Sequence, residues 1–101
     1  MKSQKKLLIL PGDGVGPEVC NEARKVIDSL SNLSFELDID IDLIGGASID
    51  KFKTPLSSKV LDKARNADSI LLGAVGGKKW DSLSPSERTL TYSILKIYKA
   101  L

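Results

Sequence analysis

Histidine is missing from this sequence of 101 residues, and cysteine occurs once, at Cys20. The first absence removes imidazole as base, acid or metal ligand for any chemistry carried here. The second removes a disulfide framework and a cysteine-built metal cluster, and fits a reducing compartment, the cytoplasm. The net charge is only +2 and the basic residues are scattered, so no patch or stripe of the kind that holds nucleic acid is present. Apolar residues make up 42% and charged residues 28%, ordinary proportions for a globular domain and not for a disordered chain. There is no internal repeat, no low-complexity linker and no apolar run long enough to span a membrane. Leu7-Leu8-Ile9-Leu10 follows lysines as a signal sequence would, but it is too short, and Pro11-Gly12-Asp13 ends it. The length allows one domain at most, at the small end of what buries an adequate core.

What is present is an alternation of strands, helices and glycine-rich turns. Leu7 to Leu10 reads as a first buried strand. It is followed by Pro11-Gly12-Asp13-Gly14-Val15-Gly16-Pro17-Glu18 and then by Val19, Ala23, Val26, Ile27 and Leu30 at helical spacing. Pro17 suits a first helical turn and Glu18 the positive end of the helix dipole. The glycines at 12, 14 and 16 do not match the dinucleotide fingerprint, whose third glycine falls three residues after the second. No Gly-Lys-Ser/Thr follows that would make a Walker loop. The spacing therefore favours a tight turn packing helix on sheet over a phosphate cradle.

Residues 35–43 alternate strictly, with Phe35, Leu37, Ile39, Ile41 and Leu43 facing one way and Glu36, Asp38, Asp40 and Asp42 the other. A flat strand spaces its carboxylates too far apart to wrap one hard cation, so the acidic row reads as a solvated face that discourages wrong pairing. Gly45-Gly46-Ala47-Ser48-Ile49-Asp50 turns the chain, and Ser57 or Ser58 caps a helix carrying Val60, Leu61 and Ala64. That helix delivers the chain to Ser69-Ile70-Leu71-Leu72, a third strand expected to be buried and parallel to the first. At its carboxyl end stands Gly73-Ala74-Val75-Gly76-Gly77-Lys78-Lys79-Trp80-Asp81, with the lone tryptophan. In open α/β sheets ligands bind at that end of the strands, so this stretch is the first candidate for chemistry. A turn with solvated lysines is the plainer alternative. After it, Ser84-Pro85-Ser86-Glu87 opens a last helix whose Leu90, Ile94, Ile97, Tyr98 and Leu101 share a face, still running at Leu101. The order strand, helix, strand, helix, strand, helix predicts an α/β fold.

Taken together, Leu10 to Glu18, Leu43 to Asp50 and Leu72 to Asp81 resemble the amino-terminal part of the 3-isopropylmalate dehydrogenases, in order and without large gaps through about Leu83. The first motif is shared by all β-decarboxylating dehydrogenases; the Gly-Gly-x-Lys-Trp run is characteristic of the isopropylmalate branch. The resemblance implies an isopropylmalate-dehydrogenase-like, non-Rossmann open sheet, with residues 1–101 as the amino-terminal part of an incomplete first domain. It implies NAD-dependent oxidative decarboxylation of (2R,3S)-3-isopropylmalate in leucine biosynthesis, with Mg2+ or Mn2+ held by residues beyond this chain. It also implies a homodimer when complete, a small-molecule substrate, and no nucleic-acid or membrane partner.

By the same resemblance Val15, Gly76, Gly77, Lys79, Trp80, Asp81 and Leu83 border the cofactor, Val15 near adenine and the others near nicotinamide. Leu95 and Ile94 match leucines of the isopropyl pocket, although an apolar helix face also serves as core. No catalytic residue falls within the chain, and these residues alone are not expected to catalyse. The sequence departs from the family pattern at Lys78, where the family has proline, at Leu90, where it has glutamate, and at Tyr98, where it has a substrate-gripping arginine. Tyrosine cannot supply arginine's bidentate fork for carboxylate. The alternatives are therefore a non-catalytic or truncated relative serving as an assembly partner, or an enzyme for another 2-hydroxy acid such as tartrate or homoisocitrate.

Overall fold

The computed structural model describes residues 3–30 and 35–75. They form β1 (Ser3–Gly12), α1 (Gly16–Ser29), β2 (Phe35–Ile41), α2 (Gly46–Phe52), α3 (Ser58–Asn66) and β3 (Ser69–Ala74). The three strands make a parallel sheet in the order β2-β1-β3. Leu8 of β1 sits opposite Asp40 on one side and Ile70 on the other. The chain thus adds β2 to one edge of β1 and then crosses back to add β3 to the other. That reversal leaves a switch point between the carboxyl ends of β1 and β3, the place where open α/β sheets bind ligands.

Parallel strands are covered on both faces, and β1 reads as a continuous apolar run for that reason. Leu7 and Ile9 point to α1, where they pack with Cys20, Ile27, Leu37, Ile39 and Leu71. Leu8 and Leu10 point the other way, to Ile44, Leu56, Val60 and Ala64. Full burial of an aliphatic side chain is worth about 2 kcal/mol, so the four residues of β1 are the largest single source of stability in the sheet. Ser57 caps α3 by accepting a hydrogen bond from the Val60 N–H at 3.3 Å, as the sequence predicts. Among the described residues no helix is long and apolar enough to cross a membrane.

Four details differ from the expected pattern. In α1 the side turned to the sheet is Gly16, Cys20 and Ile27, whereas Val19, Val26 and Leu30 are exposed. The phase of the helix is set by Gly16, where a Cβ would run into the Pro11 carbonyl and the Ala74 N, so only glycine allows so close an approach. Among the described residues strand β3 is the outer, half-buried strand on its side of the sheet, and it extends through Gly73 and Ala74, because Ala74 pairs with Gly12. A short helix, α2, stands where a turn was expected. Finally, the acidic side of β2 is not wholly solvated: Lys63 of α3 reaches Asp40 at 3.0 Å and Asp42 at 2.7 Å.

Candidate functional site

The carboxyl ends of the strands are drawn together by three short segments, and Asp13 stands at their meeting point. Its side chain is 5% exposed. Its Oδ2 accepts the Gly46 N–H at 2.7 Å and its Oδ1 the Ala47 N–H at 2.8 Å, while its own N–H donates to the Ala74 carbonyl at 2.7 Å. The first turn of α2 leaves its N–H groups without helical partners, and its N-cap, Gly45, has no side chain to satisfy them. Asp13 does so from 33 residues away along the chain. Gly45 has φ 74°, and a Cβ there would lie 2.5 Å from Asp13 Oδ2 and 3.0 Å from Val75 Cγ1. Gly12 has φ 77°, and a Cβ there would collide with the Ala74 carbonyl. Both positions therefore demand glycine on two counts, backbone conformation and space.

Around this meeting point the surface is part open and part apolar. Val15 is the N-cap residue of α1 and is 63% exposed. Beside it, among the described residues, no atom beyond its chain neighbours lies within 4 Å of the place a Cβ at Gly14 would occupy. On the β2 side a cleft of about 510 Å³ is walled by Pro11, Pro17, Ile41 and Phe52, with Lys51 and Lys59 among its lining. The remaining charged cluster lies between β2 and α3. Partial burial opposes ionisation of Asp42, but the Lys63 ammonium and the Leu43 N–H outweigh it and hold the carboxyl below its usual range. The hydrogen bonds that the Lys63 ammonium donates to Asp42 and Asp40 in turn raise its pKa. Lys63 occupies the position between the two carboxylates that a cation would take. Burial pushes the Cys20 thiol up, which keeps it a neutral core group and not a nucleophile.

Of the expected site residues, Val15 alone lies within the described residues, where it is exposed at the start of α1. Gly76, Gly77, Lys79, Trp80, Asp81, Leu83, Ile94 and Leu95 lie outside the described residues, as do Lys78, Leu90 and Tyr98. What the structure does place is their point of departure. Val75, directly before Gly76, packs between Gly12 and Gly45 at the meeting of the three segments. Asp13 is not among the residues that the sequence singles out. The available signal was a helix opening on Gly45-Gly46-Ala47 with no capping side chain of its own, together with an aspartate locked between glycines elsewhere.

Comparison with known proteins gives this geometry its setting. The family model described as isocitrate/isopropylmalate dehydrogenase matches residues 6–101. A 3-isopropylmalate dehydrogenase of Pseudomonas syringae pv. tomato is 54% identical over 81 residues, 78% of this chain and 22% of that protein. The enzyme of the same name from Pelagibacter ubique is 48% identical over 99 residues, 97% of this chain and 27% of its own length. Among solved structures, a β-decarboxylating dehydrogenase from Thermococcus kodakarensis superposes with a TM-score of 0.74 at 26% identity, over 96% of this chain and 26% of that one. Isocitrate dehydrogenase from Methylococcus capsulatus superposes with a TM-score of 0.56 at 33% identity, over 72% of this chain and 22% of that one. The chain thus spans about a quarter of the length of the curated relatives it matches. With its parallel sheet, its two glycine-rich turns and a match over nearly all its residues, the chain belongs to the isocitrate/isopropylmalate dehydrogenase family.

Proposed function

We propose that this chain is part of an NAD-dependent 3-isopropylmalate dehydrogenase, oxidising (2R,3S)-3-isopropylmalate with loss of carbon dioxide in leucine biosynthesis. The observation that carries the reading is the 54% identity to the Pseudomonas enzyme of that name, over 78% of this chain. The cytoplasm is its proposed location and a homodimer its proposed state.

The described residues fit a nucleotide at the switch point. The exposed Val15 beside the open surface at Gly14 offers an apolar contact for an adenine ring. In this reading Gly76 and Gly77 let the cofactor approach the backbone, Lys79 and Asp81 fix its polar groups, and Trp80 and Leu83 keep water out, while Ile94 and Leu95 touch the substrate's isopropyl group. NAD, when bound, accepts the hydride. Among the described residues no group of three or more carboxylate, cysteine or histidine side chains is placed to hold a metal. In this reading the Mg2+ or Mn2+ is held by residues beyond this chain, and the described residues act by shaping the cofactor's side of the cleft.

The test is NAD titration and isopropylmalate-dependent NADH formation with the natively expressed protein and its Trp80→Ala and Lys79→Ala variants. The expected outcome is activity in the parent and NAD binding weakened about tenfold or more in each variant. Unchanged affinity and turnover would remove the cofactor from that loop. A second reading, a non-catalytic relative acting as an assembly partner, is favoured by Leu90 and Tyr98, which replace a glutamate and an arginine of the family pattern. NAD binding without turnover of isopropylmalate, tartrate or homoisocitrate is its signature.

A further inference from the structure

The three segments at the strand ends lie far apart along the chain, yet they must keep one arrangement if a cofactor is to be gripped there. We infer that Asp13 is a positioning residue for the cofactor side of the cleft: it fixes the first glycine turn, with Val15, against α2 and the end of β3. This rests on the NAD-binding reading above and adds a residue that the reading did not need.

Four observations support it. Both carboxylate oxygens of Asp13 are engaged by backbone N–H groups, at 2.7 and 2.8 Å, so the side chain has no rotational freedom left. Its backbone N–H is engaged with β3 at 2.7 Å, so one residue joins all three segments. A Cβ at Gly45 would lie 2.5 Å from Asp13 Oδ2, so the α2 backbone passes close beside the carboxylate. The two residues after Asp13 are Gly14 and the exposed Val15, so any swing of Asp13 moves the proposed adenine contact directly. Fixed backbone donors at this distance impose a geometry, whereas a side-chain partner would follow its movements.

A purely structural aspartate would lower stability and leave the surviving folded protein unchanged, so the experiment compares two variants. Asp13→Asn turns an amide N–H toward one of the two backbone donors. Ser48→Ala deletes a different buried hydrogen bond of the same short helix, from Ser48 Oγ to the Thr54 carbonyl at 2.6 Å, without touching the strand ends. Both are made in the natively expressed protein, NAD affinity is measured by calorimetry, and amide hydrogen exchange is followed at Gly46, Ala47 and residues 12–15. The expected result is an NAD dissociation constant raised about tenfold or more in Asp13→Asn, with faster exchange at those amides, against a change within about twofold in Ser48→Ala. Equal shifts in the two variants, or none in Asp13→Asn, overturn the inference. Failure of the unmutated protein to bind NAD instead overturns the functional reading on which it rests, and is seen before either variant is compared.

Discussion

Two aspartates at the carboxyl ends of neighbouring strands, Asp13 after β1 and Asp42 after β2, carry the same charge and do different work. Asp13 is buried against backbone amides of α2 and the end of β3. Asp42 is partly exposed and shares Lys63 with Asp40, and the backbone donor it meets is the adjacent Leu43 N–H at 2.8 Å. The partners explain the contrast. Backbone N–H groups are already ordered by the helix and strand that bear them, so meeting them costs little further entropy and fixes position to a fraction of an ångström. A lysine must give up the freedom of a long side chain, and water competes for it, so the Lys63 cluster yields modest energy and little geometry. A carboxylate held by main chain locates structure; one held by a surface ammonium chiefly neutralises it.

The severest way to break the contrast is to force apart the segments that Asp13 joins. Gly12→Val places a branched side chain at φ 77° against the Ala74 carbonyl, and is expected to cost about 4 kcal/mol or more, enough to abolish recovery of folded protein. Gly14→Ala has the same sign of φ but open surroundings, so it should cost only about 1 kcal/mol. Urea unfolding of the two variants side by side separates collision from conformation. If both prove equally mild, the tight approach of β1 and β3 is not maintained in solution. Next in size is Asp13→Ala, which strands one buried and one part-buried amide donor and should cost about 3 kcal/mol by the same assay. A cost under about 1 kcal/mol would place Asp13 on a par with Asp42 and erase the distinction.

The fold was legible where local pattern and tertiary demand agree. The continuous run Leu7 to Leu10, the strict alternation from Phe35 and the serine before Val60 all announce elements that the structure contains. Legibility ended where a contact distant in sequence overrides the local signal. The apolar residues of α1 at 19, 26 and 30 give a clear helical period but the wrong inner face, because the close approach of Gly16 to Pro11 and Ala74 fixes the rotation first. Helix α2 carries no cap of its own, so nothing near Gly45 reveals it; its cap arrives with Asp13 from another loop. For the candidate site, the family motifs were readable as strings and Val15 as one of their members. The role of Asp13 was not, since a glycine-flanked aspartate reads equally well as a turn residue.

The smallest expected effect tests the other side of the contrast. Lys63→Met removes the shared ammonium while keeping an aliphatic stem of similar length, and should lower stability by about 1 kcal/mol or less at neutral pH. Asp42 is held below its ordinary value of 3.8, so its contribution is complete above that value and is lost as pH falls through the lower native one. Lys63 is held above its ordinary 10.5, so its share is complete below 10.5 and is lost as pH rises through the higher native value. Between those limits the difference between parent and Lys63→Met should be flat with pH, and it should narrow below pH 3.8 as Asp42 is neutralised. It should also shrink in about 1 M salt, where the screening length falls to about 3 Å, whereas the larger deficit of Asp13→Ala, whose amide partners carry no net charge, should persist. Thermal unfolding across pH and salt reads both trends in one series. A Lys63→Met deficit that matches Asp13→Ala in size, or that ignores salt, would mean the β2–α3 cluster fixes geometry as firmly as the strand-end aspartate, and that the kind of partner does not decide what a carboxylate does here.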